Sequence, residues 1–190
     1  MESIYEFIMN IVSNTSSLSL FLNCILIIIE SIIPPLPLGL FITILFVNYG
    51  SFIGFIISWI FTIIGCTISF YLFQTLFKNI IDKYIRSHES ANKFIKAIDN
   101  VSFGNLVLIM SIPFTPAFLV NIAAGISQIP IKKFILALIV GKISLVLFWG
   151  HVGTNLIEAL KDPNKLIIVI LLMVFANILS KIVNKKLKID

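Results

Sequence analysis

One stretch limits the possible folds of this chain more than any other feature. The 26 residues from Phe52 to Phe77 contain no charged residue and no proline. A helix rises 1.5 Å per residue, so this stretch reaches about 39 Å as a helix. The hydrocarbon core of a bilayer is about 30 Å thick, and such a helix crosses it with some tilt. We therefore predict a membrane-spanning helix at residues 52–77.

The composition extends this interpretation to the whole chain. Hydrophobic residues make up 58% of the 190 residues and charged residues 12%, whereas a soluble domain carries roughly 45–50% and about 25%. A domain of this size exposes too much surface to hide that excess from water. Residues 134–156 and 166–183 are also long and apolar enough to span. The prediction is an all-α integral membrane protein with about three membrane-spanning helices.

Two further apolar runs, residues 18–47 and 103–125, are interrupted near their centres. The interruptions read Ile33-Pro-Pro-Leu-Pro37 and Ile112-Pro-Phe-Thr-Pro116. Proline lacks an amide donor and disfavours helix at the preceding residue, so each arm is too short to span alone. We predict that each run is a re-entrant hairpin, which enters and leaves the membrane on the same side.

The two interruptions repeat one another. Pro34 and Pro37 correspond to Pro113 and Pro116, each 79 residues later. Broken backbone at membrane depth is tolerated only where it is buried in protein or lines a wet cavity. Two such segments that enter from opposite faces indicate an inverted-repeat transporter with its site near the midplane. The alternative is a pair of kinked helices that only pack together.

Basic residues orient these segments. Five lie between Lys78 and Lys96, two are Lys132 and Lys133, and four lie from Lys181 onward. The positive-inside rule assigns all of them to the cytoplasm. The first hairpin then enters from outside, the second enters from the cytoplasm, and the C-terminus is cytoplasmic. The composition hints at a bacterial source, so the expected location is a bacterial cytoplasmic membrane.

The remaining segments complete the predicted domain organisation. Residues 78–100 are amphipathic and suit either the bilayer surface or a connector packed on its own protein. An amphipathic segment at 1–16 precedes the membrane domain at 17–158. A C-terminal spanning helix at 166–183 and a basic tail at 184–190 follow it.

The two proline interruptions and their neighbours resemble the DedA superfamily, also called the SNARE-associated Golgi protein family or VTT domain. The resemblance covers about residues 20–155. It rests on Glu30-Ser-Ile-Ile-Pro-Pro-Leu-Pro37, on Gly54 and Gly65 in the first crossing, and on Ile112-Pro-Phe-Thr-Pro116 with the following Asn121-Ile-Ala-Ala-Gly125. It implies opposed re-entrant hairpins and movement of a phospholipid or polyprenyl-phosphate carrier between leaflets. It also implies proton coupling through membrane-embedded acidic residues.

The chain departs from the family pattern at its charged positions. Leu38 and Gly39 stand where relatives often carry a second acidic residue. Met110 and Thr75 stand where arginines are usual. Those arginines would be the natural contacts of a phosphate. The departures therefore leave room for another cargo or for none.

Glu30 and Lys142 are the main candidates for charges at membrane depth. A charge at the bilayer centre costs at least about 2.5–3.5 kcal/mol, so its default interpretation is functional. We expect the two to approach one another, with Lys142 partly replacing the missing arginines. The alternative is that Lys142 snorkels to an interface. The predicted substrate or ion pathway comprises Glu30, Pro34, Pro37, Pro113, Thr115, Pro116, Asn121, Gly125 and Lys142.

Thr115, Asn121 and His151 have two interpretations each, whereas the two cysteines have one. Thr115 and Asn121 can donate hydrogen bonds to a lipid head group or satisfy broken backbone. His151 lies near the outer end of its helix, where an interfacial role is favoured over a proton relay. Cys24 and Cys66 are read as small hydrophobic residues, with no metal-ligand spacing.

The leading functional prediction is a lipid translocator or scramblase that acts on membrane lipids. An ion- or proton-coupled small-solute transporter and a non-transporting membrane scaffold are the alternatives. An enzyme is not expected, because the chain lacks a Ser-His-Asp set, a metal-ligand cluster and a phosphate-binding glycine loop. No cofactor or metal is expected, and neither is a nucleic-acid partner. The sequence leaves a homo-oligomer open.

Overall fold

The computed structural model describes residues 16–33, 36–78, 89–113, 117–159 and 164–187. Within these ranges the chain forms helices and no strands. In chain order the helices are α1 (Ser17–Glu30), α2 (Leu38–Thr75), α3 (Glu89–Asp99), α4 (Phe103–Ser111), α5 (Ala117–Ile126), α6 (Ile131–Glu158) and α7 (Asn164–Leu187).

Three of these helices are long and apolar enough to cross a membrane, judged by length and composition. They are α2, α6 and the part of α7 from Leu166 to Val183. The sequence prediction of an all-α protein with about three spanning helices is confirmed at this level. The first crossing, expected at 52–77, is the second half of α2.

The first proline-broken run forms two short helical arms. The first arm is α1, which has 14 residues. Ser16 caps its N-terminus, because the Ser16 hydroxyl accepts a hydrogen bond from the Ser19 amide at 3.2 Å. The second arm is residues 38–49 of α2, which end at Gly50 with φ of +78°. Glycine adopts this backbone conformation at little cost. The chain therefore turns at Gly50 into the crossing formed by residues 51–75.

The second proline-broken run has the same plan. Helix α4 has nine residues. Ser102 caps its N-terminus, because the Ser102 hydroxyl accepts a hydrogen bond from the Asn105 amide at 3.2 Å. Helix α5 has ten residues and follows the second interruption. No arm of either run reaches the roughly 20 residues that a spanning helix needs. Both runs are thus helix–break–helix units, while the re-entrant path and the inverted repeat stay predictions.

The first arm of each run packs against the crossing helix that follows it in the chain. A Cβ added to Gly65 in α2 would lie 2.9 Å from the Cα of Ile28 in α1. A Cβ added to Gly141 in α6 would lie 2.7 Å from the Cβ of Met110 in α4. Glycine at both positions therefore permits the close approach of two helices.

The second arm of each run packs against the crossing helix of the other run. A Cβ added to Gly125 in α5 would lie 2.7 Å from the carbonyl oxygen of Phe70 in α2. Gly153 in α6 is likewise in close contact with Thr43 in the 38–49 arm. The two halves therefore exchange their second arms in the same manner.

The amphipathic segment packs on its own protein where the structure describes it. Ile98 in α3 is only 1% exposed and joins the core cluster that contains Phe134. The Asp99 carboxylate accepts a hydrogen bond from the Gln128 amide at 2.7 Å, and Lys133 donates to the Val101 carbonyl. Helix α3 therefore packs on its own protein, and its relation to the bilayer surface stays a prediction.

Helix α7 lies at the edge of the molecule. Val169 and Ala176 are buried, whereas most of its other large apolar side chains, such as Leu171 and Phe175, are exposed. Such a surface suits lipid rather than water. Residues 1–15 of the predicted N-terminal segment lie outside the described residues. The division of the chain into domains stays a prediction.

Candidate functional site

The structure brings the two predicted membrane charges into electrostatic range. Glu30 is the last residue of α1, and Lys142 lies near the centre of α6. The carboxylate of Glu30 interacts electrostatically with the Lys142 ammonium. Lys142 is 1% exposed, which argues against the alternative in which it snorkels to an interface. Because a buried ammonium is costly without an opposite charge, Glu30 is its natural partner.

Tight packing around Lys142 holds its backbone in place. The preceding residue, Gly141, lies against Met110 of α4. On the following turn, Leu145 and Val146 are buried against the 38–49 arm. The backbone of Lys142 is therefore held between the two proline-broken runs.

Asn121 connects the two runs at the point where they are broken. It is fully buried in α5, and its Nδ2 donates a hydrogen bond to the Ser31 carbonyl oxygen at 3.2 Å. Ser31 directly follows Glu30 at the end of α1. The amide nitrogen of Asn121 thus satisfies broken backbone, which was one of its two predicted roles. Its Oδ1 has no hydrogen-bond partner among the described residues.

Ser31 is a central contact that sequence reasoning missed. Its hydroxyl donates to the Ile27 carbonyl at 3.3 Å and accepts from the Cys66 thiol at 3.7 Å. A Cβ added to Gly65 would lie 2.6 Å from the same hydroxyl. The available signal was a polar residue beside Glu30 inside an apolar run.

Asn23 is a second residue that sequence reasoning missed. It is buried in α1, and its Nδ2 donates to the Phe41 carbonyl at 3.0 Å, which ties the two arms of the first run together. Its Oδ1 has no partner among the residues that the structure describes. A lone amide within the apolar sequence of α1 was the signal that could have identified it.

The remaining predicted pathway residues are spread around these contacts. Pro37 directly precedes α2. Pro113 lines a cavity of about 270 Å³ between α4, α6 and α7. Gly125 lies against the backbone of α2, as described above. Pro34, Thr115 and Pro116 lie outside the described residues.

His151 is exposed in the C-terminal third of α6. Its Nδ1 lies 2.9 Å from the Leu147 carbonyl oxygen, and its ring meets that of Phe46 edge-on at 6.1 Å between centroids. The predicted interfacial role is consistent with this position.

Together, the fold and these contacts define a polytopic helical membrane protein in which two broken helical runs meet beside a buried lysine and a glutamate. The chain belongs to the VTT domain family, whose pattern matches residues 33–155. The resemblance drawn from the proline motifs is thereby confirmed. Helix α7 lies beyond the matched region.

Two relatives are similar to much of this chain. Membrane protein YhjE of Bacillus subtilis (strain 168) is 31% identical over 146 residues, which cover 77% of this chain and 70% of YhjE. The Golgi apparatus membrane protein TVP38 of Kluyveromyces lactis is 34% identical over 127 residues, which cover 63% of this chain and 40% of TVP38. No solved structure matches the chain. Both relatives are membrane proteins by name, in agreement with the apolar helices described here.

Proposed function

We propose that the protein moves a phospholipid or a polyprenyl-phosphate lipid between the two leaflets of a membrane, without covalent chemistry. The observation that carries this proposal is Lys142, an ammonium held in the protein interior within electrostatic range of Glu30. A lipid of either kind has a phosphate, and a cation in a low-dielectric site attracts it strongly. The phosphate is the part of the lipid that cannot cross the hydrocarbon core unaided.

The Glu30–Lys142 pair suits a binding site that must release its cargo. Glu30 compensates the buried ammonium when no lipid is bound, so the empty site is not an uncompensated charge. An entering phosphate competes with the Glu30 carboxylate for the same cation. If Glu30 takes up a proton as the phosphate arrives, lipid movement is coupled to a proton, as the family resemblance implies.

The position of Lys142 supports its role as a substitute for a missing arginine. The family resemblance implies an arginine at Met110, and Gly141 lies directly against that residue. Lys142 therefore projects from a helix that is packed on the expected arginine position. In this proposal the positive charge lies on α6 rather than on α4, and it remains beside the second broken run.

The packing of the arms supports an inverted repeat. Each run sends its first arm to its own crossing helix and its second arm to the other crossing, with a glycine at each close contact. Two structurally equivalent halves that enter from opposite faces would give the site access to each leaflet in turn. In this arrangement we place the C-terminus in the cytoplasm, following the distribution of basic residues.

An apolar cavity favours a lipid over a small polar solute. It has a volume of about 390 Å³ and lies between α1 and the crossing part of α2. Phe21 in its lining is 61% exposed, so the cavity reaches the outer surface of the helices. An acyl or polyprenyl chain fits such a surface, while a soluble solute gains nothing from it. The lining residues are Ser17, Leu20, Phe21, Cys24, Ile25, Ile28, Ile57 and Phe61.

The test is lipid exchange across vesicles that contain the purified protein. A head-group-labelled phospholipid and a labelled polyprenyl phosphate are compared, with a membrane-impermeant quencher reporting the accessible leaflet. We expect faster exchange of at least one lipid than in empty vesicles, and slower exchange for Glu30→Gln and Lys142→Met. Lys96→Met, which removes an exposed charge from α3, is the matched control and should exchange like the wild type.

A folded and inserted protein that accelerates neither lipid would overturn this proposal. A small-solute transporter or a scaffold would then account better for the fold.

A further inference from the structure

The crossing part of α2 has a buried polar face whose residues have no role in the function proposed above. Ser58, Thr62 and Ser69 are all fully buried and share one side of the helix, because they are spaced by four and seven residues. We call these three residues the hydroxyl face. It extends over 11 residues, or about 16 Å, which is about half of the hydrocarbon thickness.

The two serines of the hydroxyl face differ from the threonines on the same helix. A hydroxyl in a helix ordinarily donates to the carbonyl four residues earlier. Thr62, Thr67 and Thr75 do so, at 2.6, 2.8 and 2.7 Å. The hydroxyls of Ser58 and Ser69 have no hydrogen-bond partner among the described residues. A buried unpaired polar group costs about 1–3 kcal/mol, so each serine holds its donor free at a cost.

A further unpaired polar atom belongs to a residue that is connected to this part of α2. The Oδ1 of Asn121, on α5, is also buried and without a partner in the described part of the chain. Asn121 contacts Ser31, and Ser31 contacts Cys66, which lies between Thr62 and Ser69. Asn121 is therefore connected to the hydroxyl face through Ser31, which contacts α2 at Cys66, between the two unpaired serines in the sequence.

Residues beside the hydroxyl face contact the two segments that carry the charged residues. Trp59, next to Ser58, donates a hydrogen bond from its indole nitrogen to the Ile139 carbonyl of α6 at 3.0 Å. Lys142 lies three residues further along α6, a rise of about 4.5 Å. Near the other end of the face, Gly65 packs on Ser31, which adjoins Glu30.

We propose that the hydroxyl face is the route of the lipid phosphate through the protein. Ser58, toward the Lys142 end of the face, and Ser69, toward the Glu30 end, donate hydrogen bonds to phosphate oxygens, and Asn121 holds the hydrating water between them. This inference rests on the proposed lipid transport and adds the path that the head group follows. It also requires the face to be wet, although it is buried in the protein.

The first experiment tests hydration without any lipid transport. Ser58→Cys and Ser69→Cys are made in a Cys24→Ala/Cys66→Ser background, which keeps a donor beside Ser31. A small charged methanethiosulfonate reacts with the thiolate and therefore needs water at the cysteine. Thr67→Cys is the control, because Thr67 lies on the same helix with its hydroxyl already bonded.

We expect both serine positions to react at least about tenfold faster than position 67, although the native serines are more deeply buried. Equal or slower reaction at both positions would overturn the route. Excess phospholipid should protect both positions. Protection by inorganic phosphate alone would instead identify a free-anion site and overturn the lipid assignment.

The second experiment measures lipid exchange by Ser58→Ala and Ser69→Ala in vesicles. Because these hydroxyls are buried and have no partner among the described residues, their removal should not lower the thermal midpoint and should raise it if the unpaired donors are costly. Each substitution should slow exchange about 3- to 10-fold, the effect of one lost hydrogen bond in the transported state. Thr67→Ala is the matched control and should keep the wild-type rate.

The results separate the two proposals. Wild-type exchange with unchanged serine variants would overturn the route and leave lipid transport standing. Absence of exchange by the wild type would overturn lipid transport, and with it the head-group route, whatever the labelling shows.

Discussion

The interaction between Glu30 and Lys142 can be measured with a double-mutant cycle of Glu30→Gln, Lys142→Met and the double variant. Both substitutions keep the approximate size of the side chain and remove its charge. The structure predicts that the two single variants differ, because Lys142 is 1% exposed whereas Glu30 is only partly buried.

The expected magnitudes follow from that difference in burial. Glu30→Gln leaves a fully buried ammonium without its opposite charge, and breaking a buried pair in this way costs about 3–5 kcal/mol. Lys142→Met leaves a carboxyl group that is only partly buried, so we expect a smaller loss of about 1–3 kcal/mol. The double variant leaves neither charge unpaired. Its loss should be smaller than the sum of the single losses by about 1–3 kcal/mol.

The assay is equilibrium unfolding of the purified protein in mixed detergent micelles, followed by far-ultraviolet circular dichroism. Lys96→Met serves as the control for removal of a positive charge from the surface and should stay within about 0.5 kcal/mol of the wild type. The charge-exchanged variant Glu30→Lys/Lys142→Glu gives a second measurement. It should recover part of the stability that either single reversal loses.

If the loss of stability in the double variant equals the sum of the two single losses to within about 0.5 kcal/mol, the two charges are independent. Failure of the exchanged variant to recover any stability would agree with that result. The reasoning that makes Glu30 the partner of Lys142 would then be refuted.

Two glycine substitutions test the packing of the first broken run in the same unfolding assay. Gly65→Ala places a Cβ 2.6 Å from the Ser31 hydroxyl and should destabilise the protein by about 1–3 kcal/mol. The control Gly104→Ala places its Cβ where no atom lies within 4 Å and should be neutral or stabilising. Equal effects of the two substitutions would contradict the close approach of α1 and α2. Gly50→Ala meets no neighbour either, but φ of +78° should cost about 1–2 kcal/mol; an unchanged stability would show that the turn does not require this conformation.

Hydrophobic length and proline position predict most of the helical elements. A 26-residue uncharged stretch has few structural options in a membrane, and the crossing part of α2 occupies nearly the same residues. The interrupted runs were recognisable because proline acts locally on the backbone. The turn at Gly50 was less visible, because glycine permits many conformations and the sequence does not say which one is used.

Tertiary contacts were harder to predict because they depend on which faces meet. The role of Ser31 depends on Asn121, which is 90 residues away in the chain. The exchange of second arms depends on Gly125 and Gly153, and neither glycine indicates in the sequence which helix it contacts. The charges were predictable for a simpler reason: an ionisable residue inside an apolar run needs a partner, and Lys142 offered one for Glu30.

The position of Lys142 bears on how the proposed phosphate contact can be made without the arginines that the family resemblance implies. An arginine on α4 would present its charge from the first arm of the second run, which is only nine residues long. Lys142 presents its charge from α6, a 28-residue helix packed against that arm through Gly141. Moving the cation to the longer helix keeps it in the same region and fixes its backbone more firmly. Under the proposed lipid transport, the short arms can shift while Lys142 keeps its contact with the phosphate, so the absence of the family arginines is compatible with the proposal.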